Sequence, residues 1–223
     1  MSLDTFRYTS VLIDWDGTVQ HTLSVWSTAC TDQLSNRGIT RDLLTVARDI
    51  VPHLHECTKH GVMDVEAFIQ GVVVQALPLL SQAEFNRDIW EVIETLQSYG
   101  VQQAVVSSSS LGAITDALTY HKKDLNVFSH LVTRDSLSET KPNPAPLLYA
   151  LKILNATKKQ TLMIGDSGAD IAAGKAAGID TVWLYPPENE LYYDAEEMRA
   201  LDPTYIAYCG ADILRIVTEG KME

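Results

Sequence analysis

A single stretch of changed hydrophobic period organises this chain. An apolar run from Tyr8 to Ile13 reads as a buried strand. Between Thr22 and about Gly100 no segment reads as a strand. Leu23 to Arg37, Arg41 to Lys59, Asp64 to Leu77 and Ser81 to Tyr99 carry helical spacing, punctuated by Gly38, Gly61, Pro78 and Gly100. Beyond that the pattern alternates. Strands are expected at Gln103–Ser107, Phe128–Thr133, Thr161–Gly165 and Thr181–Leu184, and helices at Leu111–Tyr120, Pro144–Leu154 and Ala169–Ala177. Repeated strand–helix units require a parallel sheet covered on both faces. The expected architecture is therefore an α/β core built from residues 1–20 and 82–223, with an all-helical cap inserted over residues 21–81. In open α/β sheets ligands sit beyond the carboxyl ends of the strands, and the insertion leaves the chain at such an end.

Charge narrows the function. With 29 acids against 17 bases the chain carries a net charge of −12, which repels nucleic acid and anionic membrane. Neither is an expected partner. No apolar run approaches the roughly 20 residues needed to span a bilayer, and no leader-like stretch opens the chain. Cys30, Cys57 and Cys209 stand in no metal-ligand spacing, as reduced thiols would. A cytoplasmic location, as monomer or homodimer, is expected.

Four polar clusters fall at the carboxyl ends of expected strands or open a helix: Asp14-Trp15-Asp16-Gly17-Thr18, Ser107 to Ser110, Lys141-Pro142-Asn143-Pro144, and Gly165-Asp166-Ser167 with Asp170. In a parallel sheet all four converge on one edge. Taken singly, each has an ordinary alternative: an acidic turn, a serine loop, a surface turn, a helix cap. Their order and strand-end placement are unexplained by those alternatives. Asp14 and Asp16, one residue apart, raise each other's pKa unless a cation intervenes, and a hard oxygen-liganded ion such as Mg²⁺ suits carboxylates. Phosphoryl transfer needs a nucleophile, a metal, donors to the equatorial oxygens and an acid for the leaving group. Asp14 offers the nucleophile and Asp16 the acid/base. Ser107 and Lys141 offer a hydroxyl donor and a fixed charge. Asp166 completes a metal site with Asp14, and Asp170 orients or joins that shell. Gly17 and Thr18, with Ser108 beside them, are expected to meet the phosphate, the first two through backbone N–H groups.

On these motifs the chain resembles phosphatases of the haloacid dehalogenase superfamily, in the phosphoglycolate phosphatase and β-phosphoglucomutase-like subgroup with a helical cap. The match runs in order: Asp14-x-Asp16-Gly17-Thr18, apolar residues into Ser107, Lys141-Pro142, and Gly165-Asp166-Ser167-x-x-Asp170. The resemblance implies a Rossmann-like doubly wound core, Mg²⁺ as cofactor, a small phosphorylated metabolite as substrate and an aspartyl-phosphate on Asp14. It also implies that Asp16 meets the metal through its backbone carbonyl, and Asp14 and Asp166 through carboxylates. A phosphomutase would use the same residues and pass the phosphoryl group to sugar rather than water; a non-catalytic relative would usually have lost one motif. Phosphonoacetaldehyde hydrolases carry alanine where Asp16 stands, and true dehalogenases lack this second aspartate. Receiver domains use a similar residue set in another order. Asn86-Arg87-Asp88-Ile89 stands where relatives often have a Pro-Gly turn, and Val19-Gln20-His21-Thr22 where they have Leu-x-Asp-Ser. His21, Arg48, His53, His55, Lys59 and His60 are the cap side chains available to select a substrate.

Overall fold

The computed structural model describes residues 6–220; the outermost parts of the expected core, residues 1–5 and 221–223, lie outside the described residues. Among the described residues, six strands form one parallel sheet: β1 Ser10–Ile13, β2 Gln102–Val106, β3 His130–Val132, β4 Thr161–Gly165, β5 Asp180–Leu184 and β6 Tyr205–Ala207. Their spatial order is β3-β2-β1-β4-β5-β6, a doubly wound arrangement whose order reverses at β1. Ile13 pairs with Val105 on one side and Ile164 on the other. β2 and β4 run one residue further than β1, and the polar residues that follow the three strands emerge at one edge.

Side-chain alternation divides the sheet into two apolar faces. Val11, Ile13, Val105, Leu162 and Ile164 point to one face, where they pack with helices α4 (Arg87–Ser98), α5 (Leu111–Tyr120) and α9 (Gly210–Glu219). Leu12, Ala104, Val106 and Met163 point to the other, beneath α6 (Ala145–Leu154) and α7 (Gly168–Ala177). Strands buried on both faces read as continuous apolar runs, as these do. Asn86 caps α4 by accepting from the backbone of Ile89, and α7 opens with a capping box between Ser167 and Asp170. The C-terminal elements α8 (Ala195–Ala200), β6 and α9 extend the sheet beyond the last strand expected from the sequence.

Between β1 and β2 the elements are helical, with an apolar cluster of their own. Cys30 and Leu34 of α1 (Leu23–Ser35) pack with Phe68, Val72 and Ala76 of α3 (Val65–Leu80) and with Val46 and Ile50. Two expectations here need correction. The single helix expected over Arg41–Lys59 is broken into α2 (Leu43–Thr45), a π turn at Val46–Ile50 and a 3₁₀ turn at Leu54–His60. Pro52, with no N–H to donate, interrupts it. The helix expected from Ser81 begins only at Arg87, while α3 runs through Pro78 to Leu80. Pro78 gives up its backbone bond and crowds the Val74 carbonyl, a cost confined to the end of the helix, which it does not break. Among the described residues no single helix is long and apolar enough to cross a membrane.

The two crossings between sheet and insertion lie side by side. His21 N–H donates to Glu84 and Asn86 N–H to Val19, at 2.8 and 2.9 Å. The buried Gln20 side chain locks them: its amide donates to the carbonyls of Leu80 and Ala83, both at 2.7 Å, and its oxygen accepts from the Trp15 indole at 3.0 Å. Trp15 is itself buried edge-on against Phe85. Gln20→Leu keeps the volume and strands these polar groups, each worth about 1–3 kcal/mol if unsatisfied. Denaturant unfolding should show a loss on the order of 3 kcal/mol; a loss under about 1 kcal/mol would show that the clamp is not needed.

Candidate functional site

The site is built where β1, β2 and β4 end. Asp14 directly follows β1, with its backbone N–H on Ile164 at 2.9 Å. Asp166 follows β4, and Asp170 is held one turn into α7. One oxygen atom from each of these three buried carboxylates lies within 4.8 Å of the other two. The Lys141 ammonium, itself only 5% exposed, ion-pairs with Asp14 and reaches Asp170 at 2.6 Å. The other Asp170 oxygen accepts from the hydroxyl and N–H of Ser167 at 2.6 and 3.1 Å. Asp166 accepts from Thr18 at 2.9 Å on one oxygen and from Tyr193 at 2.5 Å on the other. Its backbone carbonyl accepts from the Trp183 indole.

Two glycines make this closeness possible. Gly17 takes φ of +82°, and a Cβ there would lie 2.1 Å from an Asp166 oxygen. A Cβ on Gly165 would stand 2.3 Å from the Asp170 carboxyl carbon.

Charge in this pocket is unbalanced, since one ammonium faces three carboxylates. Burial, reinforced by Asp170 and opposed by Lys141, pushes Asp14 well above the usual carboxylate range. Burial and Asp170 push Asp166 up to about 7, against the hydrogen bonds from Tyr193 and Thr18. For Lys141 burial works against the charge, but Asp14 and Asp170 outweigh it and hold the ammonium protonated above its ordinary range. Three buried, convergent carboxyl groups whose ionised forms a single ammonium cannot balance fit a hard divalent cation such as Mg²⁺. Asp14, Asp166 and Asp170 are the side chains that would hold it.

The remaining expected residues divide. Ser107 and Ser108 line, with Asp14, Asp16 and Lys141, a cavity of about 200 Å³ that Ala47, Val51 and Pro52 of the insertion also line. The Asp16 carboxylate is not one of the convergent three; it accepts from Ser109 at 2.6 Å. Ser107 accepts in turn from the Ser109 N–H at 3.0 Å. The expected phosphate-facing N–H groups of Gly17 and Thr18 require correction. Gly17 donates to Gln20 at 2.8 Å and Thr18 to Trp15 at 3.3 Å, because the chain closes a tight turn from Trp15 to Gln20. Thr18 instead steadies Asp166, and Gly17 leaves room for it. Among the cap side chains, Arg48 and His53 line a larger cavity of about 860 Å³ that also reaches Lys141. His21 lies beside a separate cavity near the crossings, and Lys59 pairs with Glu56.

Ser109 entered only as one member of the Ser107–Ser110 cluster, with no role of its own, and Tyr193 was not legible as a site residue. Ser109 sits in a run of four serines, any of which suits a loop. Tyr193 lies in an irregular stretch after β5, 27 residues from its partner, with no motif around it. The Tyr-Tyr pair at 192–193, both lining the site cavity, was the available signal.

The sequence profile described as "Haloacid dehalogenase-like hydrolase" matches residues 11–184. The chain belongs to that family. Among curated relatives it is 42% identical to a phosphoglycolate phosphatase of Colwellia psychrerythraea over 97 residues, 44% of this chain and 42% of the relative. It is 33% identical to the pyrophosphatase PpaX of Halalkalibacterium halodurans over 130 residues, 58% of each. These alignments thus span about half the length of those relatives. A Bacillus mycoides PpaX aligns over 95% of this chain and 98% of its own, at 27% identity. Among solved structures, a HAD family hydrolase from Deinococcus radiodurans with bound phosphate and sodium superposes with a TM-score of 0.77, at 20% identity over 96% of each chain. A hydrolase from Pseudomonas syringae gives the same score at 24% identity, over 94% of this chain and 98% of its own. The α/β architecture of this family is the one observed here.

The buried acids imply a pH signature. Asp166 holds its proton to about 7 when folded, against an ordinary value of 3.8. The folded state binds the extra proton between those limits, so this group lowers stability as pH rises through them. In chelator, Asp166→Asn should gain stability relative to the parent between pH 4 and pH 7 in denaturant titrations. A difference that stays constant across that window would show that Asp166 is not the group concerned.

Proposed function

We propose that this protein is a Mg²⁺-dependent phosphatase acting on a small phosphorylated metabolite through an aspartyl-phosphate intermediate. The observation that carries this is the Lys141 ammonium held between Asp14 and Asp170, with Asp166 completing the convergent carboxylates. Family membership and relatives named phosphoglycolate phosphatase and pyrophosphatase support it. Mg²⁺, when bound, would neutralise developing charge on the phosphoryl oxygens.

The chain's own groups do the rest. An Asp14 oxygen attacks phosphorus in line, and the bond to the leaving oxygen breaks. Asp16, at the cavity wall and steadied by Ser109, gives its proton to that oxygen. It then takes a proton from the water that attacks the aspartyl-phosphate and releases Asp14. Lys141, fixed by two carboxylates, keeps a positive charge beside the transferred group without reorganising. Ser107 and Ser108 line the same cavity and supply polar contacts to the phosphoryl oxygens. The insertion, whose Ala47, Val51 and Pro52 line the cavity, acts as a lid that excludes bulk water.

Purified protein with Mg²⁺ should release phosphate from para-nitrophenyl phosphate or a member of a panel of phosphate esters that includes phosphoglycolate and inorganic diphosphate. Silence across the panel would defeat the enzyme reading. Asp14→Asn and Asp16→Asn should each lower the rate by on the order of 10³-fold or more, and near-parental turnover in Asp14→Asn would remove it as nucleophile. A phosphate mimic such as beryllium fluoride should slow hydrogen exchange in Val19–Thr22 and Leu80–Asn86; exchange unchanged there would argue against a closing lid.

A further inference from the structure

The stretch from Pro186 to Asp194 leaves β5 and runs between the core and the helical insertion. On its inner side Asn189, 3% exposed, donates to the Gly17 carbonyl at 3.3 Å, and the Tyr193 hydroxyl donates to Asp166. On its outer side it is gripped by Arg48, which sits on the π turn of the insertion. The Arg48 guanidinium donates to the carbonyls of Glu190 and Leu191 at 2.8 and 3.0 Å and lies 3.6 Å from the Asp194 carboxylate. These contacts flank Tyr193 on both sides in sequence. One planar cation thus sets the course of the loop that delivers the phenol.

From this arrangement we propose that Tyr193 is a positioning residue for the metal ligand Asp166, and that Arg48 sets it from the insertion, coupling lid docking to metal affinity. The inference rests on the reading of Asp14, Asp166 and Asp170 as the Mg²⁺ site. A carboxylate oxygen has two lone pairs, so Thr18 and Tyr193, one on each Asp166 oxygen, fix the rotamer and leave an acceptor direction open on each. Without the phenol, the carboxylate keeps a single hydroxyl restraint and turns about its Cβ–Cγ bond. Partners that orient metal ligands typically change affinity by about 10–100-fold. Coupling between sites is reciprocal. If the docked insertion tightens metal binding through Arg48 and Tyr193, bound metal must favour the docked insertion by the same factor.

The test titrates MgCl₂ into the full chain, stripped with chelator, by isothermal calorimetry. Tyr193→Phe should weaken Mg²⁺ binding by roughly tenfold or more, with unchanged far-ultraviolet circular dichroism. In turnover the deficit should fall on the Mg²⁺ concentration needed for half-maximal rate, and saturating Mg²⁺ should restore kcat. Arg48 pairs with Asp194 and not with Asp14, Asp166 or Asp170, so Arg48→Met should weaken binding in the same direction by a smaller factor. Equal or tighter Mg²⁺ binding in Tyr193→Phe overturns the positioning role, tighter binding meaning that the phenol competes with the ion. Weakened binding in Tyr193→Phe with parental binding in Arg48→Met overturns the coupling. If Tyr193→Phe does not fold, parental affinity in Arg48→Met alone overturns the proposal. A parental protein that takes up no Mg²⁺ defeats the metal reading itself, a result distinct from all of these.

Discussion

One ammonium holds the site edge of this molecule together. Lys141 joins Asp14, 127 residues away, to Asp170, 29 residues away, and all three side chains are nearly excluded from water. Burying such charges is costly unless they are paired, and removing one partner from a buried pair typically costs about 3–5 kcal/mol because the other charge is stranded. The ion pairs therefore tie the end of β1, the turn before α6 and the first turn of α7 into one unit. Asp166, beside them, meets no ammonium among the described residues and accepts from two hydroxyls. That asymmetry leaves more ionisable carboxyl groups than one ammonium can balance where the three meet, and it is why a hard cation suits the place.

The rest of the core serves this edge by alignment. Parallel pairing of β1 with β2 and β4 brings Asp14, Ser107 and Asp166 out together. The glycines at 17 and 165 let carboxylates approach backbone that any side chain would obstruct. Trp15, between the two aspartates of the first motif, faces the apolar core and anchors Gln20. The clamp at Gln20 joins both crossings, so any movement of the insertion must pass through a hydrogen-bonded pair of segments rather than a slack glycine linker.

Legibility followed the range of the interactions. Strands and helices of the second half were readable because each buries an apolar face whose period survives in the sequence; Leu111–Tyr120 and Thr161–Gly165 coincide with their expected limits. The insertion was less readable. Its helices pack round a small cluster with weak amphipathic contrast, so Pro52 and the π turn at Val46–Ile50 were hidden within an apparently continuous pattern. The three-residue edge strand β6 was not among the expected strands. At the site, the acids, Lys141 and the serines were legible as motif residues. The spending of the Gly17 and Thr18 N–H groups inside their own turn was not.

By itself the amino-acid sequence determined the α/β class, the helical interruption after the first strand, and which polar residues follow which strand ends. These are local matters of period, punctuation and order, and they depend on neighbours within a few residues. Only the tertiary structure decided that Lys141 lies between Asp14 and Asp170, that Ser109 rather than a neighbouring serine meets Asp16, and that Tyr193 bonds Asp166 from a loop gripped by Arg48. Each of those contacts joins residues tens of positions or more apart. Their pairing is set by strand register and packing, which no single segment encodes.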